Sequence, residues 1–383
     1  MTDHTEHVTL RIEGVDWKGW TSCQITRSVD TIAGGFALGL TDRWEPGQKA
    51  MPLAAGMRCV LLSSCGSGAP TPLISGFIDK TSFTLSATSH TVTAEGRDSS
   101  GDLVDCAAVH RPGQWLRLDA AQLAAILGRP FGVGVSVAAG VNPGGVFPTF
   151  KVEPGESAFD ALSRALKQRE LLCLPDGAGG LVLTKIGQEK ASTALIQGIN
   201  ILSAAVTFDL GERYSDYIVQ GQRQGSDAAY GAACSVRGET RDEGVTRYRP
   251  YLLRAEQQGD AGYMRKRAVW EKTLRAAKST AVNITVQGWR QDDGTLWPLG
   301  GLVDCELPWL GIAQELCITR LVLGRDARNG TTARLELKDP DAFQPEPDTP
   351  GGKNGSAGGT GIGVLVRKSE EAYAAQKEYA HAE

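Results

Sequence analysis

The sequence predicts a β-rich α+β fold in which two copies of one β-barrel flank mixed α/β material. Three observations predict it. Thr71 to Asp105 alternates apolar and polar residues as a β-hairpin does, a stretch with two helical segments follows, and a block near the C-terminus repeats the hairpin's closing residues. In the hairpin, Ile74, Phe77, Phe83 and Leu85, then Val92 and Ala94, recur with Thr and Ser between them around a polar tip, Ser86 to His90. It breaks at the turn-rich run Gly96 to Asp102.

Before the hairpin, Val8 to Ile12, Ser22 to Val29 and Phe36 to Thr41 read as strands, followed by a turn at Asp42 to Gly47. Gly56 to Leu62 opens another strand and Ser63 to Pro72 is a loop. Short strands with frequent turn signals suggest a barrel or a sandwich. After Leu103 the character changes. Asp119 is placed to cap AAQLAAILG, whose Leu123, Ile126 and Leu127 share a face, with Gly128 as the left-handed stop and Pro130 blocking continuation. Within Pro154 to Arg169, Ala158, Ala161, Leu162, Ala165 and Leu166 form a helical stripe. Leu171 to Leu174 and Leu181 to Thr184 read as strands around the loop Pro175 to Gly180.

Strands return at Val206 to Leu210 and Asp216 to Gly221. Gln222 to Thr246 is polar and glycine-rich and reads as a long exposed loop. Asp260 can cap a helix from about Tyr263 to Lys278; its Arg265, Lys266 and Arg267 could meet nucleic acid but read as a solvated face among Glu256, Asp260 and Glu271. Ala281 to Phe343 is again all-β. There Thr332 to Asp339 aligns with Thr91 to Asp98, and Gly301 to Cys305 with Gly56 to Cys59, so two blocks of similar length repeat. Gln344 to Pro350 and the Gly-rich run after it form a linker, and Lys368 to Glu383 is a tail that orders only against a partner.

At 383 residues, several domains are expected. A net charge of −4 offers no general basic face for nucleic acid. No apolar run is long enough for a membrane span, and the N-terminus has no signal-like core, so synthesis in the cytoplasm and no membrane partner are expected. The eight cysteines form no C-x-x-C pair, which argues against zinc and redox motifs; in runs such as Arg58 to Leu62 a free thiol acts as a small hydrophobe.

A search for chemistry finds little. Gly155 to Phe159 lacks the nucleophile-elbow pattern. A triad or metal cluster would have to use His90 and His110, since His4, His7 and His381 lie near the ends. Asp98, Asp102 and Asp105 fail the alternate-position spacing of an EF-hand loop and read instead as turn and helix caps. Gly359 to Gly363 opens no helix and is linker. Trp289, Trp297 and Trp309 could stack on sugars, yet core or interface is the plainer reading. No catalytic, cofactor-binding or metal residue is assigned, and no cofactor.

In order, GRDSSGDLVD, PGESAFDALSRALKQRELLCLPDGAGGLVLTK, SDYIVQGQ and GWRQDDGTLWPLGGLVDCELP resemble the baseplate hub proteins of contractile-tailed phages, of the Mu-like tail protein P type related to the late control D family. The resemblance spans about Val8 to Phe343. It implies two tube-like β-barrel domains with inserted mixed α/β domains: 1–105 the first barrel, 106–205 mixed, 206–343 the second barrel with an excursion at about 222–280, and 344–383 linker and tail. It also implies a structural, non-enzymatic homotrimer in the virion tail baseplate, a pseudo-sixfold ring between tail tube protein and central spike protein. Other baseplate proteins would be neighbours, and DNA would pass through the channel without specific binding. The alternative is a tail-associated cell-wall hydrolase, which needs a paired carboxylate or zinc set in a cleft, or a carbohydrate-binding tail protein, which a sugar column would reveal. A secretion-system spike would need a long repetitive β-helix.

Overall fold

In a computed structural model, the described residues are 6–42, 53–66, 68–86, 90–223, 234–344 and 346–347. Most of the expected turn at Asp42 to Gly47, most of the tip Ser86 to His90, part of Gln222 to Thr246, and the linker and tail beyond residue 350 lie outside them. The N-terminal strands are β1 (Glu6–Ile12), β2 (Val15–Trp17), β3 (Ser22–Ser28), β4 (Gly35–Asp42), β5 (Arg58–Cys65), β6 (Thr71–Leu85) and β7 (His90–Asp98). Next come α1 (Gly101–Asp105), β8 (Gln114–Leu118), α2 (Ala120–Gly128), β9 (Val135–Val137), β10 (Phe147–Lys151), α3 (Ala158–Lys167), β11 (Leu172–Pro175) and β12 (Leu181–Thr184). The remainder is β13 (Leu195–Ile196), β14 (Ile201–Phe208), β15 (Asp216–Gln222), β16 (Ser235–Arg241), β17 (Pro250–Arg254), α4 (Ala261–Lys278), β18 (Thr280–Gln287), β19 (Leu302–Leu307), β20 (Ile312–Asp326) and β21 (Gly330–Lys338).

One sheet of 13 strands follows the path β14-β18-β21-β20-β3-β4-β7-β6-β5-β1-β2, with β19 beside β20 and β13 beside β19. Cut between β20 and β3, this path gives the same order twice: β3-β4-β7-β6-β5-β1 and β14-β18-β21-β20-β19-β13. The short sequence matches thus sit on topologically equivalent strands. One difference is that β1 runs antiparallel to β5 whereas β13 runs parallel to β19. The join is antiparallel, with Arg320 to Arg325 opposite Ser28 to Cys23. Among the described residues the path is open, so these pairings alone close no barrel.

Alternation along the strands buries Leu10, Ile25, Leu38, Leu61, Ile78 and Ala94 in the first repeat and Leu316, Ile318, Leu323, Ala333 and Leu335 in the second. Glu6, almost wholly buried, ties the repeats together: it receives the Arg290 Nε–H at 2.7 Å and the Ser63 hydroxyl.

The mixed module follows its capping signals. Asp119 accepts from the Gln122 amide at 2.8 Å while the Gln122 side chain accepts from the Asp119 amide at 3.0 Å, a reciprocal capping box. Ser157 caps α3 by accepting from the Asp160 amide at 3.0 Å, and the whole stripe Ala158, Ala161, Leu162, Ala165, Leu166 is buried with Leu123, Leu127, Leu183, Phe147 and Phe150. Gly128 is not the left-handed stop: its φ is −75°, the chain continues as a 3-10 turn through Pro130, and Gly132 at φ 68° ends it. Proline fits the first turn of such a helix, where its missing N–H loses no bond. The reason for glycine at 128 is space, since a Cβ there would lie 2.7 Å from the Val133 carbonyl oxygen.

A buried polar joint fixes this module to the first repeat. Asp98 accepts from the Gly34 amide at 2.6 Å, the Ser100 amide at 2.9 Å and the Ser100 hydroxyl. Ser99 donates to the Ser75 carbonyl at 3.0 Å, Ser75 donates to the Gly177 carbonyl at 3.1 Å, and Arg27 donates to the Pro175 carbonyl at 2.5 Å. Gly177 adopts φ 80°, and a Cβ on it would press on the Pro72 carbonyl at 3.0 Å, so the loop docks on β6 through glycine.

The described residues of Ala205–Val282 make up most of a second compact unit. In it β15 lies between antiparallel β16 and parallel β17, and α4, capped by Asp260 at 2.7 Å from the Tyr263 amide, packs Tyr263, Met264 and Ala268 on Tyr217 and Val219. The expected loop Gln222 to Thr246 therefore contains a strand. Its signal is hidden because β16 meets the helix through Gly238, where a Cβ would fall 2.2 Å from the Arg265 nitrogen, while Arg237, Glu239 and Arg241 face solvent. Asp242, mostly buried, receives Arg213 Nε at 2.7 Å and the Gly244 amide at 2.9 Å.

Two outcomes are expected. Asp98→Ala leaves two buried N–H groups and a hydroxyl without their acceptor and should cost about 3 kcal/mol in urea unfolding, with Asp98→Asn milder; an unchanged midpoint for the alanine variant contradicts the joint. Burial alone would raise the Asp242 carboxyl, but Arg213 and the Gly244 N–H outweigh it and hold it below the ordinary range. A lowered folded value means this group's stabilisation is complete above its unfolded pKa of about 4 and is lost as pH falls through the folded value. Asp242→Asn should therefore flatten thermal stability against pH in that acidic window, and an unaltered profile would refute the pairing.

Candidate assembly surfaces

Register places opposite residues on a common face. Gly324, Gln24, Ala37, Glu95 and Lys80 form one cross-strand row; Ser22, Gly39, Thr93 and Ser82 form another, with Thr91 and Thr84 beyond. This face is small and hydroxyl-rich. Its Lys80 and Glu95 face each other at 3.7 Å, a charge pair exposed enough to contribute little stability. The opposite face has Leu323, Ile25, Phe36 and Ile78 and is the core.

Several strand edges lack a neighbour among the described residues, and two of them, on β6 and β14, correspond in the copied order to the joined edges of β20 and β3. Beyond Ile78, β6 pairs only with β7, because its ladder with β5 covers Thr71 to Phe77. At the other end of the copied order, β14 pairs only with β18. Both edges expose large apolar side chains: Phe83 and Leu85 on β6, and Leu202 and Phe208 on β14. Charges and kinks usually protect free edges, so apolar ones mark contact surfaces.

The residues singled out in the sequence scatter. Asp98 belongs to the joint and bonds the Ser100 amide across a turn, as expected; Asp102 lies in the first turn of α1, which no side chain caps, and Asp105 is no cap but receives Arg97 at 2.6 Å. His90 starts β7, whereas His110 packs edge-on against Trp115 at 5.6 Å, where burial lowers its pKa. Ser157 is spent as a cap. Trp289 and Trp297 are core, the former donating to the Gly324 carbonyl at 3.0 Å, whereas Trp309 is 82% exposed. Arg265 and Lys266 face solvent, but Arg267 does not: it is buried over the Trp270 ring at 4.2 Å and paired with Glu271 and Glu346. Burying a guanidinium requires such partners, and Glu346 lay too far along the chain to be read as one. A groove of about 200 Å³ beside it, lined by Arg254, Glu256, Glu271, Arg275 and Glu346 among others, balances its charges. Among the described residues no group of three or more His, Cys, Asp and Glu is placed to hold a metal, and no helix is long and apolar enough to cross a membrane. Sequence reasoning missed both free edges, since alternation marks a strand without naming its neighbours.

Known structures identify the class first. The chain is similar to the 43 kDa tail protein of prophage MuSo2 from Shewanella oneidensis, with a TM-score of 0.75 and 29% identity over 88% of this chain and 99% of that one. The tail protein from Neisseria meningitidis MC58 shares the fold at a TM-score of 0.71 and 21% identity, covering 89% of this chain and 99% of that chain. The architecture is that of a phage tail protein. Family descriptions match in series: Mu phage baseplate assembly protein GpP-like, N-terminal, over residues 7–98; baseplate hub protein gp44-like, second domain, over 100–185; and Mu phage baseplate assembly protein GpP, fourth domain, over 261–346. Baseplate hub protein gp44 of Escherichia phage Mu is 33% identical over 94% of this chain and 95% of its own length. The chain belongs to the Mu-like baseplate hub family.

Of the eight cysteines six are buried, Cys65 is half-buried and Cys106 is exposed. Burial pushes Cys23 and Cys59 up to about 12 and Cys305 up to about 11. Because the thiolate is the reactive form, a maleimide at neutral pH should label Cys106 first and the buried six only after unfolding. Rapid labelling of Cys59 or Cys305 in the folded protein would contradict this packing.

Proposed function

We propose that three copies of this chain close into a ring of six repeats that joins the tail tube to a central spike and surrounds the DNA channel, as a structural part without enzymatic activity. The observation behind the proposal is the β20–β3 join. In each chain the second repeat's long strand pairs with the first repeat's β3, and the equivalent partners one step around the ring are β6 and the β14 of a neighbouring copy. Both of these edges lack a neighbour among the described residues. A contact between different surfaces of identical chains closes only if its rotation fits, and three copies complete six repeats.

Energetics favour the closed ring over a dimer. Each seam would bury Phe83, Leu85, Leu202 and Phe208, partly exposed side chains that contribute about 1 to 2 kcal/mol each. That sum, on the order of 5 kcal/mol, barely meets an association cost of about 4 to 15 kcal/mol. A trimer gains a third seam with no third association step. Its channel would be lined by the hydroxyl-rich face, which offers phosphates little net positive charge, so DNA could slide without being held.

The two repeats stand as the two tube-like barrels, and the 106–205 module and the excursion at about 222–280 stand as the parts that meet other baseplate proteins, within the virion tail. Phe83→Lys on β6 and, separately, Leu202→Lys on β14 should each turn a trimer into monomer by light scattering while leaving the melting temperature within a few degrees, about what a surface change costs. A wild-type chain that stays monomeric in solution and in particles, or variants that remain trimeric, would overturn the proposal.

A further inference from the structure

The ring reading leaves open which rim meets the sixfold tube, and the strand directions bear on it. β20 is antiparallel to β3, β3 to β4, β4 to β7 and β7 to β6, so β20 and β6 run the same way. The turn between β5 and β6 and the turn between β19 and β20 therefore lie at the same rim. The chain also leaves β7 for the mixed module at this rim, since Asp98 stands opposite Gly76 near the start of β6. At its other end β20 turns directly into β21 through Ala327, Arg328 and Asn329.

At the shared rim the two repeats differ sharply. The first presents exposed Gly66, Gly68, Ala69 and Pro70. The second presents a 3-10 turn, Pro308–Leu310, ended by Gly311 at φ 72°. Trp309 stands 82% exposed on it, and Ile199, two residues past Gln197, is 76% exposed. The turn is held in place: the Trp309 amide donates to the Gln197 side-chain oxygen at 3.2 Å, and the Gln197 amide donates to the Glu306 carbonyl at 2.9 Å. An apolar knob on a braced turn has the composition of an interface anchor.

Resting on the ring reading, we propose that Trp309 and Ile199 anchor the trimeric central spike, and that this rim faces away from the tube. A sixfold tube meets six equivalent positions and would use a knob at only three of them poorly. A threefold partner meets three, each with an apolar socket for Trp309. The module after β7, present once per chain, reinforces the threefold character of the same rim.

The test uses particles assembled with full-length Trp309→Ala or Ile199→Ser chains, with quantitative mass spectrometry of spike and tube proteins, and light scattering of each purified chain. Trp309→Ala should lower spike per particle at least about tenfold, as loss of an anchor does, with tube content and trimer mass unchanged. Wild-type spike content, or loss of the tube with the spike retained, overturns the assignment while leaving the ring intact. A wild-type chain that forms no ring, alone or in the particle, overturns the ring and this polarity with it.

Discussion

The antiparallel ladder between β20 and β3 is the constraint on which the architecture depends. It joins a strand near one end of the chain to one near the other, so neither repeat can be displaced without breaking backbone hydrogen bonds between residues such as Ser28 and Arg320, far apart in sequence. Backbone pairing sets the register, and register in turn decides which side chains meet. A shift of one residue would turn Ile25 and Leu323 to the hydroxyl-rich face and Gln24 and Gly324 to the core. Away from that ladder, Glu6 and Arg290 link the repeats by a partly buried ion pair, whose value lies in fixing the fit, since the cost of desolvating the charges offsets much of their attraction.

Around this join, polar and apolar contacts divide the work. Aliphatic side chains fill the repeat interiors, where alternation makes the choice simple. The joint at Asp98 is polar because it must orient one module against another: amide donors from Gly34 and Ser100 aim at a single carboxylate, and Ser75 and Ser99 extend the network toward Gly177. Directional bonds fix an angle that greasy contacts alone would leave loose.

Much of this was legible in the sequence. The hairpin β6–β7, the caps Asp119 and Asp260, the apolar stripe of α3 and the repeat of Thr91 to Asp98 at Thr332 to Asp339 each rest on local chemistry that a linear reading detects. What escaped depends on neighbours distant in the chain. β16 lacks apolar alternation because a helix backbone lies on Gly238. Arg267 looked solvated because its partner Glu346 is remote. Gly128 serves close packing against Val133, so its conformation could not be inferred from its position after a helix. The free edges of β6 and β14 emerge only once the strand order is known, and the exposure of Trp309 against the burial of Trp289 and Trp297 has no local signature at all.

Family membership gives the chain a place in the baseplate, while the repeated strand order gives a physical reason why one chain type could meet partners of different symmetry. The most direct measurement is amide hydrogen exchange of the full-length chain across a dilution series. If copies join as β20 joins β3, protection of Asp79 to Leu85 and of Ile201 to Phe208 should rise and fall together as the oligomer forms and dissociates. An oligomer that forms while both segments exchange as freely as in the monomer would contradict the account.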